Sequence, residues 1–223
     1  MFALDCVATR FLRTLRELEL AAPERVFTVG GTCGAEAAPV CYLSKRYEAL
    51  GAVWFDAHGD LNTAASSPVG HFHGMVLRTL LGDGPPEFTD HIARPLDPAR
   101  VVVAGARDLD VAERDYIQSA GVGLVEGWPQ DTAMRIIDSL RSAGVTQVYI
   151  HIDVDVFDPA AYGDALFSVP GGPSLGAAAS VVGEVVEAFD VVGVGVVESC
   201  GHTPGAPGAL VGFLTDSGLW PAD

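Results

Sequence analysis

Two stretches of this 223-residue chain carry side chains that can do chemistry: Asp56-Ala57-His58-Gly59-Asp60 and Asp153-Val154-Asp155-Val156-Phe157-Asp158. Each follows or ends an apolar run, 51–55 and 147–153, of the kind that builds a buried strand. In an extended backbone, residues two apart emerge on one face. Asp56, His58 and Asp60 are therefore predicted to point into one volume, and Asp153 and Asp155 to share a face. Carboxylates at the end of so apolar a strand need a compensating charge, and a divalent cation supplies it. The D-x-D pair alone is weak evidence, because paired acids at strand ends are common, whereas two carboxylates and an imidazole in one volume are a metal site's chemistry. Both in one chain point to a two-metal centre.

Several elements must position these groups. Apolar runs at 25–29, 51–55, 101–104, 122–125, 147–153 and 191–197 read as strands. Helical periodicity or composition marks 6–20, 35–50, 74–81, 111–119, 132–142 and 176–188 as helices. Strands that alternate with helices and are nearly continuous in Val and Ile predict an α/β fold, a three-layer α/β/α arrangement around a mostly parallel sheet of about six strands. Ligands in such sheets bind beyond the carboxyl ends of the strands. Thr32-Cys33, residues 56–60, Arg107-Asp108, residues 153–158 and Glu198 should then share one rim. Cys33 is expected to face the Asp56–Asp60 motif from the neighbouring strand.

The length suits one domain, 1–223, and no uninterrupted apolar run is long enough to span a membrane. The first residues lack a basic segment leading into an apolar one, so the expected location is cytoplasmic. Four cysteines without C-x-x-C spacing are too few for a disulfide framework in a chain of this size. A formal charge of -16 disfavours nucleic acid and anionic membrane surfaces and would concentrate a small cationic substrate.

Taken together, the motifs resemble those of the ureohydrolase family, the arginases, agmatinases and their relatives, across residues 26–198. Asp56 to Asp60 matches the family's D-A-H-x-D, and Asp153 to Pro159 matches D-V-D-x-x-D-P. Gly30-Gly31-Thr32-Cys33 stands where the family has G-G-D-H. The resemblance implies an arginase/deacetylase-like fold, and no H-H-G signature of the zinc deacetylases is present. It further implies two Mn²⁺ ions per subunit, bridged by Asp56 and Asp153, with Asp60 and Cys33 completing one ion and His58 and Asp155 the other. Two such cations can hold an acidified hydroxide aimed at an electrophilic carbon. The reaction implied is hydrolysis of a guanidino C–N bond, in arginine, hydroxyarginine or a related compound, to urea and an amine. His73 matches the family's proton-shuttling histidine in G-N-x-H-G. Glu198 matches the glutamate that binds the guanidinium. Asn62, His71 and Asp110 fall at substrate-contact positions, although the family's S-G-N is here Val69-Gly70-His71. Arg107-Asp108-Leu109-Asp110 with Glu113 resembles an arginase stretch that binds an α-amino group.

The departures leave alternatives open. Cys33 is a thiolate ligand, as in cysteine-bearing members such as hydroxyarginine hydrolases, or it lies beside a weakly held metal, or that metal is absent. Agmatine, guanidinobutyrate and formiminoglutamate are alternative substrates, and a metal-poor binding or oligomer partner is the non-catalytic alternative. His151 shares a face with Asp153 and is either a neighbour of the ligands or a core histidine. Family members carry further strand-forming sequence before the first motif, so this chain resembles an N-terminally shortened member. The 26–29 strand would then be a sheet edge, which a second copy could cover in a homo-oligomer.

Overall fold

Strand-forming and helical segments alternate along the chain, so each strand is returned to the sheet by a crossover that leaves it parallel to its neighbours. The computed structural model describes residues 4–220. In chain order these form α1 (Leu4–Ala21), β1 (Val26–Val29), α2 (Ala37–Arg46), β2 (Leu50–Phe55), α3 (Val76–Leu80), α4 (Pro86–Thr89) and β3 (Val101–Ala106). There follow α5 (Val111–Ala120), β4 (Gly123–Glu126), α6 (Thr132–Ser142), β5 (Gln147–Asp153), α7 (Leu175–Ala188), β6 (Asp190–Val197) and α8 (Ala206–Asp216). The six strands make one parallel sheet in the order β1-β6-β5-β2-β3-β4. The two motif-bearing strands, β2 and β5, are its centre.

Alternation along the central strands divides the core between the two faces. Trp54, Tyr149 and Val103 pack with Phe11, Leu15 and Leu43 of α1 and α2. Phe55, Ile150 and Ile152 pack with Ile136 of α6, Val182 of α7 and Phe213 of α8. The expected three-layer α/β/α fold is therefore present, with helices on both faces.

The helix expected over 35–50 divides. A tight 3-10 turn, Cys33–Glu36, leads into α2, which ends at Arg46, and Leu50 already opens β2. Tyr47 is extended (φ -111°, ψ 109°), and its hydroxyl donates to the Glu24 carbonyl at 2.8 Å, pulling the chain away from the helix axis. In α1 the buried stripe is Ala8, Phe11 and Leu15, whereas Leu20 is 71% exposed. Helices α4 and α8 were not expected. Glycines and a proline weaken the periodicity of α8 (Pro207, Gly208, Gly212), which is held by burial of Leu210, Phe213 and Leu214. Strand β1 lies at the edge of the sheet and Val29 on it is 79% exposed.

Candidate metal centre

The first motif converges by a route other than the extended one expected. Strand β2 stops at Phe55, and the chain then bends so that the His58 backbone N–H donates to Asp56 Oδ1 at 2.6 Å. Asp60 adopts a left-handed backbone (φ 53°) and accepts at Oδ2 from Trp54 Nε1 at 3.2 Å. The second motif also leaves its strand. β5 ends at Asp153, whose Oδ1 accepts from the Asp155 N–H at 2.8 Å and caps a short 3-10 turn, Val154–Val156. Asp155 Oδ1 in turn accepts from the Ala57 N–H at 3.0 Å, tying the two motifs together. Glu198, one residue beyond β6, has φ 65°. Non-glycine residues in this region are strained, and here two of them present carboxylates to one site.

Cys33 does not come from the strand beside β2. It sits on the turn after the edge strand β1, with β6 and β5 between. That turn nevertheless reaches the centre: the thiol donates to Asp153 Oδ2 at 3.1 Å and the Cys33 N–H to Glu198 Oε1 at 3.2 Å.

Asp56, Asp60, Asp153, Asp155 and Glu198 are all buried, and the imidazoles of His58 and His151 are the cations set against them. Burial, then the charge of Asp56, raises the pKa values of Asp60 and Asp153 well above the carboxylate range. The same causes push Asp155 up to about 6, despite its 3.0 Å contact with His58 Nδ1. Burial opposes the charging of His58, but Asp155 and Asp56 outweigh it and push the imidazole up to about 12. Asp56 is drawn down, because His151 and His58 overcome the cost of its burial. Burial and the surrounding carboxylates push the Cys33 thiol up. Asp56 Oδ2 and His151 Nε2 are buried and without a hydrogen-bond partner. So much uncompensated negative charge, with unpartnered donor atoms, fits divalent cations. Cys33, Asp56, Asp60 and His151 offer ligand atoms within 4.8 Å of one another, as do Asp56, His58 and Asp155, and Cys33, His73 and Glu198.

A cavity of about 420 Å³ opens above these groups. Cys33, His58, Asp60, Asp153 and Asp155 form its floor, and Asn62, Val69, His71, His73, Asp110 and Phe167 contribute to its walls. His73 Nδ1 lies 3.3 Å from Glu198 Oε1. Asn62 Nδ2 donates to Asp110 Oδ2 at 2.8 Å, and Asn62 Oδ1 accepts from Ser66 Oγ at 2.8 Å. Cys33, Asp56, His58, Asp60, Asn62, His71, His73, Asp110, Asp153, Asp155 and Glu198 thus meet in one place, whereas Asp158 lies outside it, accepting from the Ala160 and Gly171 N–H groups. Arg107 belongs to the scaffold, since its guanidinium donates to the carbonyls of Gly105, Asp155 and Val169 at 2.8–2.9 Å.

Sequence reasoning missed Glu36, a fully buried acid whose Oε2 lies 2.9 Å from His151 Nδ1. A lone carboxylate amid Gly34, Ala35, Ala37 and Ala38 was the available signal. It also missed Phe167, whose ring lies 5.2 Å from that of His73, and Asp164, which holds the chain after Glu198. Neither carries a pattern that could have been read.

Comparison with known proteins agrees with this geometry. The sequence matches the model of the arginase family over residues 12–200. It is 36% identical over 137 residues to an arginase of Staphylococcus aureus, covering 59% of this chain and 45% of that one. It is 31% identical over 170 residues to the N(omega)-hydroxy-L-arginine amidinohydrolase of Streptomyces lavendulae, covering 76% and 59%. The matched stretch thus spans about half the length of these curated relatives. Among solved structures, the arginase of Bacillus cereus superposes with a TM-score of 0.86 at 26% identity, covering 97% of this chain and 79% of that one. With a parallel six-stranded arginase-like sheet and this match over most of its length, the chain belongs to the arginase family.

Proposed function

We propose that this chain is one ureohydrolase-like domain that hydrolyses a guanidino C–N bond, releasing urea and an amine, with two divalent cations at the floor of the cavity. The observation that carries the reading is the convergence of Cys33, Asp56, His58, Asp60, Asp153 and Asp155 beneath an open cavity flanked by Glu198 and His73. The names of the curated relatives, arginase and hydroxyarginine amidinohydrolase, support the substrate class.

Cys33, Asp56, His58, Asp60, Asp153 and Asp155 would hold the ions, Cys33 with Asp60 and His58 with Asp155, and manganese is the expected metal. Bound there, the cations supply an acidified water and a template for attack on the guanidino carbon. Asp60 accepts a hydrogen bond from the attacking water and fixes its direction. Glu198 takes two guanidinium N–H donors in parallel and turns the carbon toward that water. As the C–O bond forms and the C–N bond breaks, the leaving nitrogen needs a proton. His73, beside Glu198 and partly open to solvent, delivers it and recovers one from water. Asn62, His71 and Asp110 lie along the wall where the rest of the substrate would extend, and the Asp110 carboxylate suits an α-amino group.

Among the described residues no helix is long and apolar enough to cross a membrane. The exposed β1 edge fits burial against a second copy, so a homo-oligomer is part of the proposal. The test is urea release by the purified chain supplied with Mn²⁺, against arginine, agmatine and guanidinobutyrate, with hydroxyarginine assayed for hydroxyurea and formiminoglutamate for formamide. Urea from arginine, or hydroxyurea from hydroxyarginine, is expected. No product from any of them, with metal-free protein after loading, overturns the reading.

A further inference from the structure

His151 sits one layer below the cavity floor, in a row across three strands: it pairs with Gly195 of β6 and with Trp54 of β2. Its ring stacks on Trp54 with centroids 3.6 Å apart and planes 6° from parallel, and it is 0% exposed. Its tilt is therefore fixed by packing. Nδ1 meets Glu36 Oε2 at 2.9 Å. The sequence makes room for that carboxylate: a Cβ on Gly195 would lie 1.9 Å from Glu36 Oε1. With Glu36 accepting at Nδ1, a proton stays there, and a cation bound in the centre would displace the one on Nε2 and take its lone pair.

Nε2 has no hydrogen-bond partner, although it is buried. It lies 3.6 Å from Asp56 Oδ2, too far for a hydrogen bond. Two ligands held about 2.0–2.3 Å from one tetrahedral ion stand roughly 3.3–3.7 Å apart, which is the separation found here. Cys33 Sγ and an Asp60 oxygen lie within 4.8 Å of the same atoms.

We propose that His151 Nε2 is itself a ligand of the ion held by Cys33, Asp56 and Asp60, with Glu36 as the carboxylate that sets its tautomer and orientation. This rests on the two-metal reading above. It makes the Cys33 half of the centre a thiolate–imidazole–carboxylate set, softer than the Asp56–His58–Asp155 half. The two ions then differ in preference, the Cys33 side favouring zinc, cobalt or iron over manganese. It also gives Glu36 and Gly195 a shared purpose, since without the glycine there is no space for the acid that orients the histidine.

The test uses Co²⁺ added to the metal-free full chain, because thiolate-to-cobalt absorption reports the Cys33-side ion alone. The wild type is expected to develop that band and Cys33→Ser to lose it. Glu36→Gln should weaken the affinity read from the band by about 10–100-fold, as removal of a ligand's orienting partner does. His151→Gln should weaken it at least as much, with circular dichroism confirming the fold. X-ray absorption on the His58→Ala/His73→Ala double variant supplies an arm that leaves His151 untouched: the cobalt that carries sulfur should also carry an imidazole. Sulfur without imidazole there, or wild-type affinity in His151→Gln, overturns the inference while the two-metal reading stands. A wild type that binds no Co²⁺ overturns both.

Discussion

The Cys33 thiol donates to Asp153 Oδ2 at 3.1 Å, joining the turn after the edge strand β1 to the end of the central strand β5. Thiol and carboxyl are both buried and both raised well above their ordinary pKa values by that burial and by neighbouring carboxylates. A cation between them would deprotonate both and replace the hydrogen bond with two metal–ligand bonds. Cys33→Ala is accordingly expected to lower metal content from about two ions per chain toward one, as two-metal chemistry assigns one ion to each half. Elemental analysis after gel filtration checks this, and unchanged stoichiometry would place Cys33 among the packing residues.

Metal-free protein should lose stability as pH rises toward neutrality. Asp155, ordinarily near 3.8, is pushed up to about 6 by burial and Asp56, and Asp60 and Asp153 are raised by the same causes. A carboxyl whose pKa is higher folded than unfolded stabilises fully below its unfolded value, and that contribution is lost as pH rises through the folded one. His58 works in the same direction, losing its contribution above 6.5 as pH climbs toward 12. Asp56, drawn down, loses its contribution only as pH falls below 3.8. The unfolding temperature without metal is therefore expected to fall between about pH 5 and pH 7, and saturating Mn²⁺ should remove or reverse the fall, because ligation needs the deprotonated groups. A flat or rising metal-free profile would contradict this.

Glu113 fastens the substrate wall to the first motif. Its Oε1 accepts from the Leu61 N–H at 2.9 Å and its Oε2 from the Asp110 N–H at 3.0 Å, completing a capping box at the start of α5. Glu113→Ala leaves the buried Leu61 N–H without a partner and should cost about 1–3 kcal/mol in denaturant unfolding. Because Asp110 and Asn62 move with that cap, KM should rise by more than kcat falls.

Asp164 does for Glu198 what Glu113 does for Asn62. Its carboxylate accepts from Ser199 Oγ at 2.9 Å and from the N–H groups of Gly201, His202 and Thr203 at 2.7–2.9 Å. Glu198 immediately precedes this segment in a left-handed backbone, so its aim depends on it. Asp164→Ala is expected to lower kcat/KM by up to about a hundredfold, the effect of an ångström of misplacement, while metal content stays at the wild-type level. Loss of metal in this variant would instead mean that the segment supports the ligands.

The sheet was legible in the sequence because its strands are apolar throughout and bounded by polar turns; all six appear near the expected positions. That these side chains gather at one rim was legible too, since strand ends of a parallel sheet share a rim. The backbone route was not. Asp56, His58 and Asp60 looked extended, but Asp60 and Glu198 take left-handed conformations set by contacts distant in sequence, such as Glu113 to Leu61 and Asp164 to Gly201. Strand order was equally hidden: Cys33 reaches the centre from an edge strand with two strands between. Glu36 escaped notice because a lone acid at a helix start reads as a solvated residue until its partner, His151, is seen beside it.

In the proposed reaction, water adds to a guanidino carbon in this cavity. The most direct measurement is mass analysis of the products formed by the Mn²⁺-loaded chain from arginine or hydroxyarginine in water labelled with heavy oxygen. Urea from arginine, or hydroxyurea from hydroxyarginine, carrying one labelled oxygen from the water, with an unlabelled amine product, is the predicted result, and Glu198→Gln should abolish both products. Metal-loaded protein that yields neither urea nor hydroxyurea, or either without the label, would contradict it.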